Sequence, residues 1–161
     1  MRGRVWRADG IILGKAISGG LIPLSAFVTN SKMMDLAFKP GSEGSTYGGY
    51  PLACVAGHAA LDVIVEEKLP EKAAQKGAIL KKKIEEIASR SKHVKEVRGR
   101  GLFIGIEVND GDAMKYCRML LELGVLANDS HGHTIRISPP LVITDDEIAY
   151  LVERLEKVLA G

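Results

Sequence analysis

The apolar positions follow a helical spacing from Pro51 onward and a strand-like pattern before it. After Pro51, small and branched apolar residues recur every three or four positions as far as Ile64, which predicts a helix able to lie close against another backbone. A further amphipathic helix follows Pro70, with its lysines on the face opposite the apolar one. Before Pro51 the apolar runs are short, at residues 11–13 and 24–28, and both are typical of strands bounded by Gly or Pro.

The chain beyond residue 90 alternates strand-like and helical patterns. Short apolar runs predict strands at residues 94–97, 102–108, 125–128 and 134–138. A helix from Asp112 is expected to end at Gly124, which suits the left-handed conformation of a helix C-cap. Thr144-Asp-Asp-Glu is a capping-box pattern that begins the last helix. From residue 69 the order of elements is therefore α-β-β-α-β-β-α, which predicts a self-sufficient α+β or α/β layer.

The first fifty residues have a different character, since they are rich in Gly and Ser and show little helical periodicity. Residues 32–38 predict one short helix, which Lys39-Pro-Gly stops. Two strands and a glycine-rich loop cannot close a core of their own, so this part is expected to need a partner sheet.

Composition and charge exclude several functional classes. Among 161 residues there are 22 Lys and Arg against 20 Asp and Glu, so the formal net charge of +2 gives no basic footprint for nucleic acid. No apolar stretch reaches the roughly 18 residues that a membrane helix needs, and the basic start lacks the apolar region of a secretory signal. Cys54 and Cys117 are too few for a disulfide framework, and His131 and His133 without a third ligand make a poor zinc site. We expect a cytoplasmic globular protein with no metal site.

Lys15 is the first candidate for chemistry, because it follows a strand pattern and precedes a Ser-Gly-Gly turn. A lysine at the end of a buried strand would be partly desolvated, which favours the neutral amine. A neutral amine can attack a carbonyl carbon and form a Schiff base. The alternative, which spacing alone favours, is a solvated lysine in a turn.

A glycine-rich loop at residues 41–49 leads directly into the helix that begins at Pro51. Ser45 and Thr46 supply hydroxyl groups, and the glycines let backbone N–H groups approach an anion closely, so the loop is a candidate phosphate cradle. It lacks the Gly-Lys-Ser/Thr ending of a nucleotide-binding P-loop. The alternative is a flexible surface loop.

Arg136 lies in the last predicted strand between Ile135 and Ile137, which point to the opposite face. An arginine alone on its face can bind a carboxylate through two parallel hydrogen bonds. The alternative is an arginine on a solvated strand face. Arg98 and Arg100 are expected to belong to a solvated turn between strands, with an anion contact as their alternative.

Taken in order along the chain, these segments resemble class III pyridoxal-phosphate-dependent aminotransferases. The family's lysine segment is matched by Asp9-Gly-Ile-Ile-Leu-Gly-Lys-Ala-Ile-Ser-Gly-Gly, and its phosphate loop and following helix by Gly44-Ser-Thr-Tyr-Gly-Gly-Tyr-Pro. Its small domain is matched by Arg98-Gly-Arg-Gly-Leu-Phe and Ile135-Arg-Ile-Ser-Pro-Pro. The motifs occur in the family's order over nearly all of the chain, and within the family the likeness is greatest to the ornithine aminotransferases.

The resemblance implies an α/β fold, namely the C-terminal part of a fold-type I pyridoxal-phosphate-dependent transferase. Residues 1–50 would be the end of the large cofactor-binding domain, residues 51–68 a connecting helix and residues 69–161 the small C-terminal domain. The family's upstream half supplies an Asp for the pyridine nitrogen, an aromatic ring against the cofactor and a Gly-rich phosphate cup, and it has no counterpart here. The chain is therefore expected to be a fragment that is inactive alone and needs that upstream half as its partner.

The resemblance also implies a role for each candidate residue. Lys15 would form the Schiff base with pyridoxal 5'-phosphate and then shuttle a proton. Thr46, assisted by Ser45, would donate to the cofactor phosphate from the neighbouring subunit of a homodimer. Arg136 would hold the α-carboxylate of the amino acid or 2-oxo acid substrate. One position departs from the family pattern, since Tyr50 stands where the family usually has Asn.

The implied activity is transfer of an amino group from ornithine to a 2-oxo acid. Acetylornithine and 4-aminobutyrate are alternative donors, because enzymes that use them share the lysine and loop patterns. Two other function classes stay open: a non-catalytic interaction or dimerisation module, and an independent phosphate-binding protein that uses residues 41–49.

Overall fold

The computed structural model describes residues 8–160, which divide into two compact units, one as far as Glu67 and the other from Lys68. The first unit contains β1 (Gly10–Leu13), β2 (Ala26–Thr29), α1 (Ser31–Ala37) and α2 (Pro51–Glu66). The second contains α3 (Leu69–Ala88), β3 (Val94–Arg100), β4 (Phe103–Val108), α4 (Ala113–Glu122), β5 (Asn128–Ser130), β6 (Thr134–Ile137) and α5 (Asp145–Leu159). Among the described residues, none of the helices combines the length and the hydrophobicity that crossing a membrane requires.

The second unit is built on a four-stranded antiparallel sheet in the order β3-β4-β6-β5. Its central strand β4 alternates between buried Ile104, Ile106 and Val108 on one face and the less buried Gly105 and Glu107 on the other. The buried face belongs to one hydrophobic core shared with α3, α4 and α5. The predicted α-β-β-α-β-β-α order is confirmed, and the opposite face of the sheet is left for polar side chains.

The predicted helix ends of the second unit are confirmed by their hydrogen bonds. Asp112 caps α4 by accepting from the Lys115 N–H at 3.1 Å. At the other end Gly124 adopts a φ of 79°, the left-handed conformation that a glycine C-cap requires. The capping box of α5 is complete, since the Glu147 N–H donates to Thr144 Oγ1 at 3.2 Å and the Thr144 N–H donates to Glu147 Oε2 at 2.7 Å.

Two boundaries in the second unit differ from those that the sequence predicts. The strand expected at residues 125–128 begins only at Asn128, because the Val125 N–H donates to the Leu120 carbonyl at 2.9 Å and so completes the end of α4. The turn expected at residues 98–101 is shorter, since β3 continues through Arg100, which pairs with Phe103. The placement of Arg98 and Arg100 in a turn is therefore wrong, and both lie in a strand.

The first unit has an antiparallel β1–β2 pair and few buried residues. In the described part of this unit only Ser18, Ala53 and Gly57 are buried, and every residue of β1 is exposed. A Cβ placed on Gly57 would lie 2.6 Å from Leu24 Cδ2 and 4.0 Å from the Ile17 carbonyl oxygen, so α2 lies close to the residues between the two strands. The description of this part as lacking a core of its own is confirmed for the described residues.

Candidate functional site

Lys15 lies at the start of the connection between β1 and β2, where the chain leaves the strand. Its backbone adopts a φ of 58°, a left-handed conformation uncommon for a residue with a side chain. The side chain is exposed and makes no hydrogen bond or ion pair with any residue that the structure describes. The expectation that Lys15 is partly desolvated is wrong within the described residues, because the strand that leads to it is itself exposed.

The connection that carries Lys15 is held by its own hydrogen bonds. The buried hydroxyl of Ser18 donates to the Ile22 carbonyl and accepts from the Ile22 N–H at 3.3 Å. The Gly19 N–H donates to the Ala16 carbonyl at 2.9 Å, and Gly19 has a φ of 71°, which favours glycine. Lys15 is therefore presented on a structured loop.

The loop before α2 borders a cavity of about 590 Å³. The cavity is lined by Pro23, Leu24, Ser25, Ser45, Tyr47, Gly48, Gly49, Tyr50 and Ala53. A Cβ on Gly48 would lie 3.0 Å from Ser45 Cβ, so a side chain there would require Ser45 to shift by a few tenths of an ångström. Ser45 lies where the sequence predicts an anion site, whereas Thr46 does not line the cavity.

The cavity adjoins the end of the hairpin that carries Lys15. Ser25 lines it, and a Cβ on Gly14, the residue before Lys15, would lie 3.9 Å from Ser25 Cβ. Its hydroxyl groups, from Ser25, Ser45, Tyr47 and Tyr50, are donors suited to a phosphate. Lys15 does not line the cavity but directly follows Gly14 at its edge. An amine and a set of phosphate donors are the groups that the aldehyde and the phosphate of pyridoxal 5'-phosphate require. The serine at position 25 was not predicted, because only the hairpin brings it to the loop.

A second candidate site lies on the outer face of the second unit's sheet. Arg136 on β6 pairs with Gly105 on β4, and both line a cleft of about 370 Å³ together with Phe103 and His131. The prediction that Ile135 and Arg136 point to opposite faces is confirmed by burial of the isoleucine in the core. Arg136 is half-buried and makes no ion pair or hydrogen bond with residues 8–160. An unpaired guanidinium in a cleft is suited to a carboxylate.

Arg98 lines the same cleft but is bound to carboxylates. Its Nη1 lies 2.6 Å from Glu107 Oε2 and 3.2 Å from Glu96 Oε2, and its Nη2 donates to Thr134 Oγ1 at 3.1 Å. Lys95 Nζ lies 2.6 Å from Glu107 Oε1. The hydrogen bonds from Lys95 and Arg98 lower the pKa of Glu107, so this carboxylate stays charged.

Glu107 and Thr134 are members of this cleft that the sequence alone did not predict. One signal was present, since Gly105 and Glu107 interrupt the apolar run of β4 at alternate positions, which indicates a second, polar face. The partners of Glu107 come from a different strand, and the sequence alone does not give the register that joins them. In the described part of the chain, no group of three His, Cys, Asp or Glu side chains is arranged to hold a metal ion.

Comparison with known proteins identifies the family. The family model described as aminotransferase class-III matches residues 5–159. The ornithine aminotransferase of Geobacillus sp. (strain WCH70) is 48% identical over 153 residues, which are 95% of this chain and 37% of that protein. Ornithine aminotransferase 2 of Staphylococcus aureus (strain Mu50 / ATCC 700699) is 46% identical over 152 residues, 94% of this chain and 37% of that protein.

Solved structures agree with the sequence relatives. The acetylornithine aminotransferase from Elizabethkingia anophelis superposes with a TM-score of 0.90 and 44% identity, covering 96% of this chain and 41% of that one. Plasmodium falciparum ornithine delta-aminotransferase superposes with a TM-score of 0.87 and 40% identity, covering 95% of this chain and 40% of that one. The chain thus spans 37% of the length of the curated relatives it matches, over their C-terminal portion. By the family match and these identities, the chain belongs to the class III aminotransferases.

Proposed function

We propose that this chain supplies the cofactor lysine and the carboxylate-binding arginine of a pyridoxal-phosphate-dependent aminotransferase. The observation that carries the proposal is the free amine of Lys15, presented on a structured loop beside a cavity lined by serine hydroxyls. When bound, pyridoxal 5'-phosphate supplies an electron sink that stabilises negative charge on a substrate carbon.

The residues of this chain would bind, orient and transfer a proton. Lys15 Nζ would hold the cofactor through its aldehyde carbon until the substrate amine displaces it. The freed Lys15 amine would then take a proton from the substrate carbon that bears the amine and deliver it to that aldehyde carbon. Ser45 and Thr46 would donate hydrogen bonds to the phosphate, Thr46 to the neighbouring subunit of a homodimer. Arg136 would bind the α-carboxylate of the amino acid or 2-oxo acid through two hydrogen bonds.

Ornithine is the amino donor we propose, because ornithine aminotransferases stand among the relatives with 46% to 48% identity. Acetylornithine is the second candidate, since a protein solved as an acetylornithine aminotransferase is 44% identical and superposes over 96% of this chain. 4-Aminobutyrate is the third candidate donor.

Activity would require the upstream part of a class III enzyme. The first unit exposes large apolar side chains on both strands, including Ile12 and Phe27, and apolar surface of this kind marks an interaction site. We propose that the upstream half covers it, that the chain alone is inactive, and that residues 1–50 belong to the large domain and 69–161 to the small one. A cytoplasmic location stays a prediction.

The test is reconstitution with an upstream half, for which we choose the residues of the Geobacillus ornithine aminotransferase that precede the matched region. The mixture is loaded with pyridoxal 5'-phosphate and reduced with borohydride, and tryptic mass mapping then locates the label. We expect the label on Lys15, none in Lys15→Ala, and normal labelling in the control variant Lys32→Ala, whose lysine lies in α1.

Rates with ornithine, acetylornithine and 4-aminobutyrate then identify the donor. We expect the highest kcat/KM with ornithine. A label on any other lysine would contradict the proposed site, and robust transamination by the 161-residue chain without the upstream half would contradict the proposed need for it.

A further inference from the structure

The turn between β5 and β6 places a histidine at the cleft that contains Arg136. His131 lines this cleft together with Ser130 and Arg136. Ser130 is the residue of β5 paired with Thr134, which lies two residues before Arg136 on the same face of β6. Two residues of a strand advance by about 7 Å, a distance that the long side chain of Arg136 can span. The imidazole and the guanidinium therefore border one space, in which a small acid can contact both.

The backbone of His131 is held in an uncommon conformation. Its φ is 56°, in the left-handed region that few residues with a side chain adopt. Two hydrogen bonds fix the turn around it: the Gly132 N–H donates to Asp129 Oδ2 at 3.1 Å, and the His131 carbonyl accepts from Nδ1 of His133 at 2.8 Å. Such conformations persist only where neighbouring contacts maintain them, and they are frequent at binding sites. The turn thus presents the His131 ring from a fixed backbone.

The imidazole of His131 has one nitrogen with a partner and one without. Nδ1 lies 3.0 Å from Ser130 Oγ, and Nε2 makes no hydrogen bond with residues 8–160. The Ser130 hydroxyl can donate or accept, so it is compatible with either neutral form of the ring. A carboxylate bound by Arg136 needs further donors, and it therefore selects the form in which Ser130 donates to Nδ1 and the proton lies on Nε2.

We propose, on the basis of the role given above to Arg136, that His131 Nε2 is a further hydrogen-bond donor to the carboxylate that Arg136 binds. The guanidinium supplies the charge and two parallel N–H groups, and the imidazole supplies one N–H from the turn. An ionised carboxylate has about four lone-pair sites, so it accepts from both residues at once. His131 is then a substrate-binding residue that fixes the orientation of the carboxylate within the cleft.

The test uses two substitutions that each keep one nitrogen position of the imidazole. His131→Gln places an amide N–H close to the position of Nε2, whereas the shorter side chain of His131→Asn reaches only the position of Nδ1. Binding of propanoate to the full 161-residue chain is followed by NMR through the amide shift of Gly105. We expect His131→Asn to weaken propanoate binding about fivefold, because one hydrogen bond to a charged group is lost. His131→Gln should bind within about twofold of wild type.

The controls separate this hydrogen bond from effects on the turn. Asparagine adopts a left-handed backbone more readily than glutamine does, so strain at position 131 would favour the variant that we expect to bind more weakly. His133→Asn keeps a donor near the position of Nδ1 and should bind propanoate within about twofold of wild type. Arg136→Gln should lose binding, and the uncharged probe propanamide should bind to none of the proteins.

A second measurement needs no substitution at position 131. The ring ¹⁵N spectrum at pH 8, where an imidazole is ordinarily neutral, shows which nitrogen of His131 carries the proton, and with saturating propanoate this should be Nε2. The inference is overturned if Nε2 of the bound ring carries no proton, if His131→Asn binds as wild type does, or if His131→Gln binds as weakly as His131→Asn. A wild-type chain that binds no propanoate also overturns it, while labelling of Lys15 would be unaffected and still tests the proposed function.

Discussion

The two units of the chain differ in how far they bury their apolar residues. In the second unit Ile104, Ile106 and Leu155 are fully buried in one core, whereas in the first unit Ile12 is 83% exposed and Leu21 is 81% exposed. The cause is the number of layers, because a four-stranded sheet with helices on one face can close a core and a two-stranded hairpin cannot. Hydrophobic pattern alone therefore shows where apolar residues lie, and the layers beside them decide whether they are buried.

The largest expected effect is the loss of a buried apolar side chain from the second unit, compared with the loss of an exposed one from the first. Ile106→Ala, in the central strand of the second unit, should lower the free energy of unfolding by about 4 kcal/mol, because the isoleucine side chain is fully buried in the hydrophobic core. Ile12→Ala in the first unit should change it by less than about 0.5 kcal/mol. Urea unfolding followed by circular dichroism measures both, and equal effects would contradict the contrast between the units.

A pair of helix glycines gives the next largest effect. Gly77 of α3 has room for no side chain, since a Cβ would lie 2.1 Å from the Gly101 carbonyl carbon, a backbone atom. Gly77→Ala should therefore cost about 3 kcal/mol, although helix propensity alone predicts a gain of about 1 kcal/mol.

The matched change in the first unit is Gly57→Ala in α2. Its Cβ would meet the end of the Leu24 side chain at 2.6 Å, and that end can move. We expect a change of less than about 1 kcal/mol, measured by hydrogen exchange of the amides of α2. A stabilised Gly77→Ala would show that α3 can shift away from the β3–β4 turn.

A buried tyrosine should make the second unit less stable at high pH. Tyr116 is 1% exposed and donates to Asp110 Oδ2 at 2.8 Å, and burial together with that hydrogen bond raises its pKa to about 12 from 10.0. The folded state keeps this proton longer than the unfolded state, so stability is complete below pH 10 and is lost as the pH rises through 12. The loss should be about 2 to 3 kcal/mol at 1.36 kcal/mol per pKa unit.

Tyr116→Phe is the variant that isolates this effect. It has no hydroxyl to ionise, so its free energy of unfolding should fall less steeply between pH 10 and 12 than that of the wild-type chain. The difference between the two slopes removes the contribution of lysines, which titrate in both proteins. Parallel slopes would show that Tyr116 ionises as readily when folded as when unfolded.

Local signals predicted the helix ends of the second unit well and one of its strand boundaries poorly. The capping box at Thr144 and the glycine cap at Gly124 are set by a few adjacent residues, and both are confirmed. The beginning of β5 was misplaced because the Val125 N–H already completes α4, which the apolar pattern at residues 125–128 does not reveal. Periodicity thus gives the elements, and hydrogen bonds to neighbouring elements decide their ends.

The candidate sites were predictable only in part, because contacts between elements are not visible in the local sequence pattern. Lys15, Ser45 and Arg136 stand out as residue types in a pattern, and the structure places Ser45 at a cavity and Arg136 in a cleft. The burial expected for Lys15 was inferred from an apolar run that the described residues leave uncovered. Glu107 was missed because its importance comes from two cations on a neighbouring strand, which only the register brings together.

The smallest predicted effect concerns the start of α2, where the resemblance leads us to expect Asn and this chain has Tyr50. Tyr50 is the N-cap residue, with φ and ψ values of −54° and 117°, and its side chain makes no capping hydrogen bond. Tyr50→Asn would let the amide oxygen accept from the N–H of Leu52 or Ala53, which should stabilise the first turn by about 1 kcal/mol. Hydrogen exchange of the Cys54 amide, which bonds to the Tyr50 carbonyl, measures this as a roughly fivefold slowing.

The control for that change is Tyr50→Ala, which removes the ring without adding a cap. Tyr50 also lines the cavity beside Ser45, so both substitutions enlarge the cavity and only the asparagine supplies a capping acceptor. If the Cys54 amide exchanges at the same rate in both variants, capping does not limit this helix start. A slower rate confined to the asparagine variant would show that the first unit, despite its exposed apolar residues, is stabilised locally by the same end effects as the second.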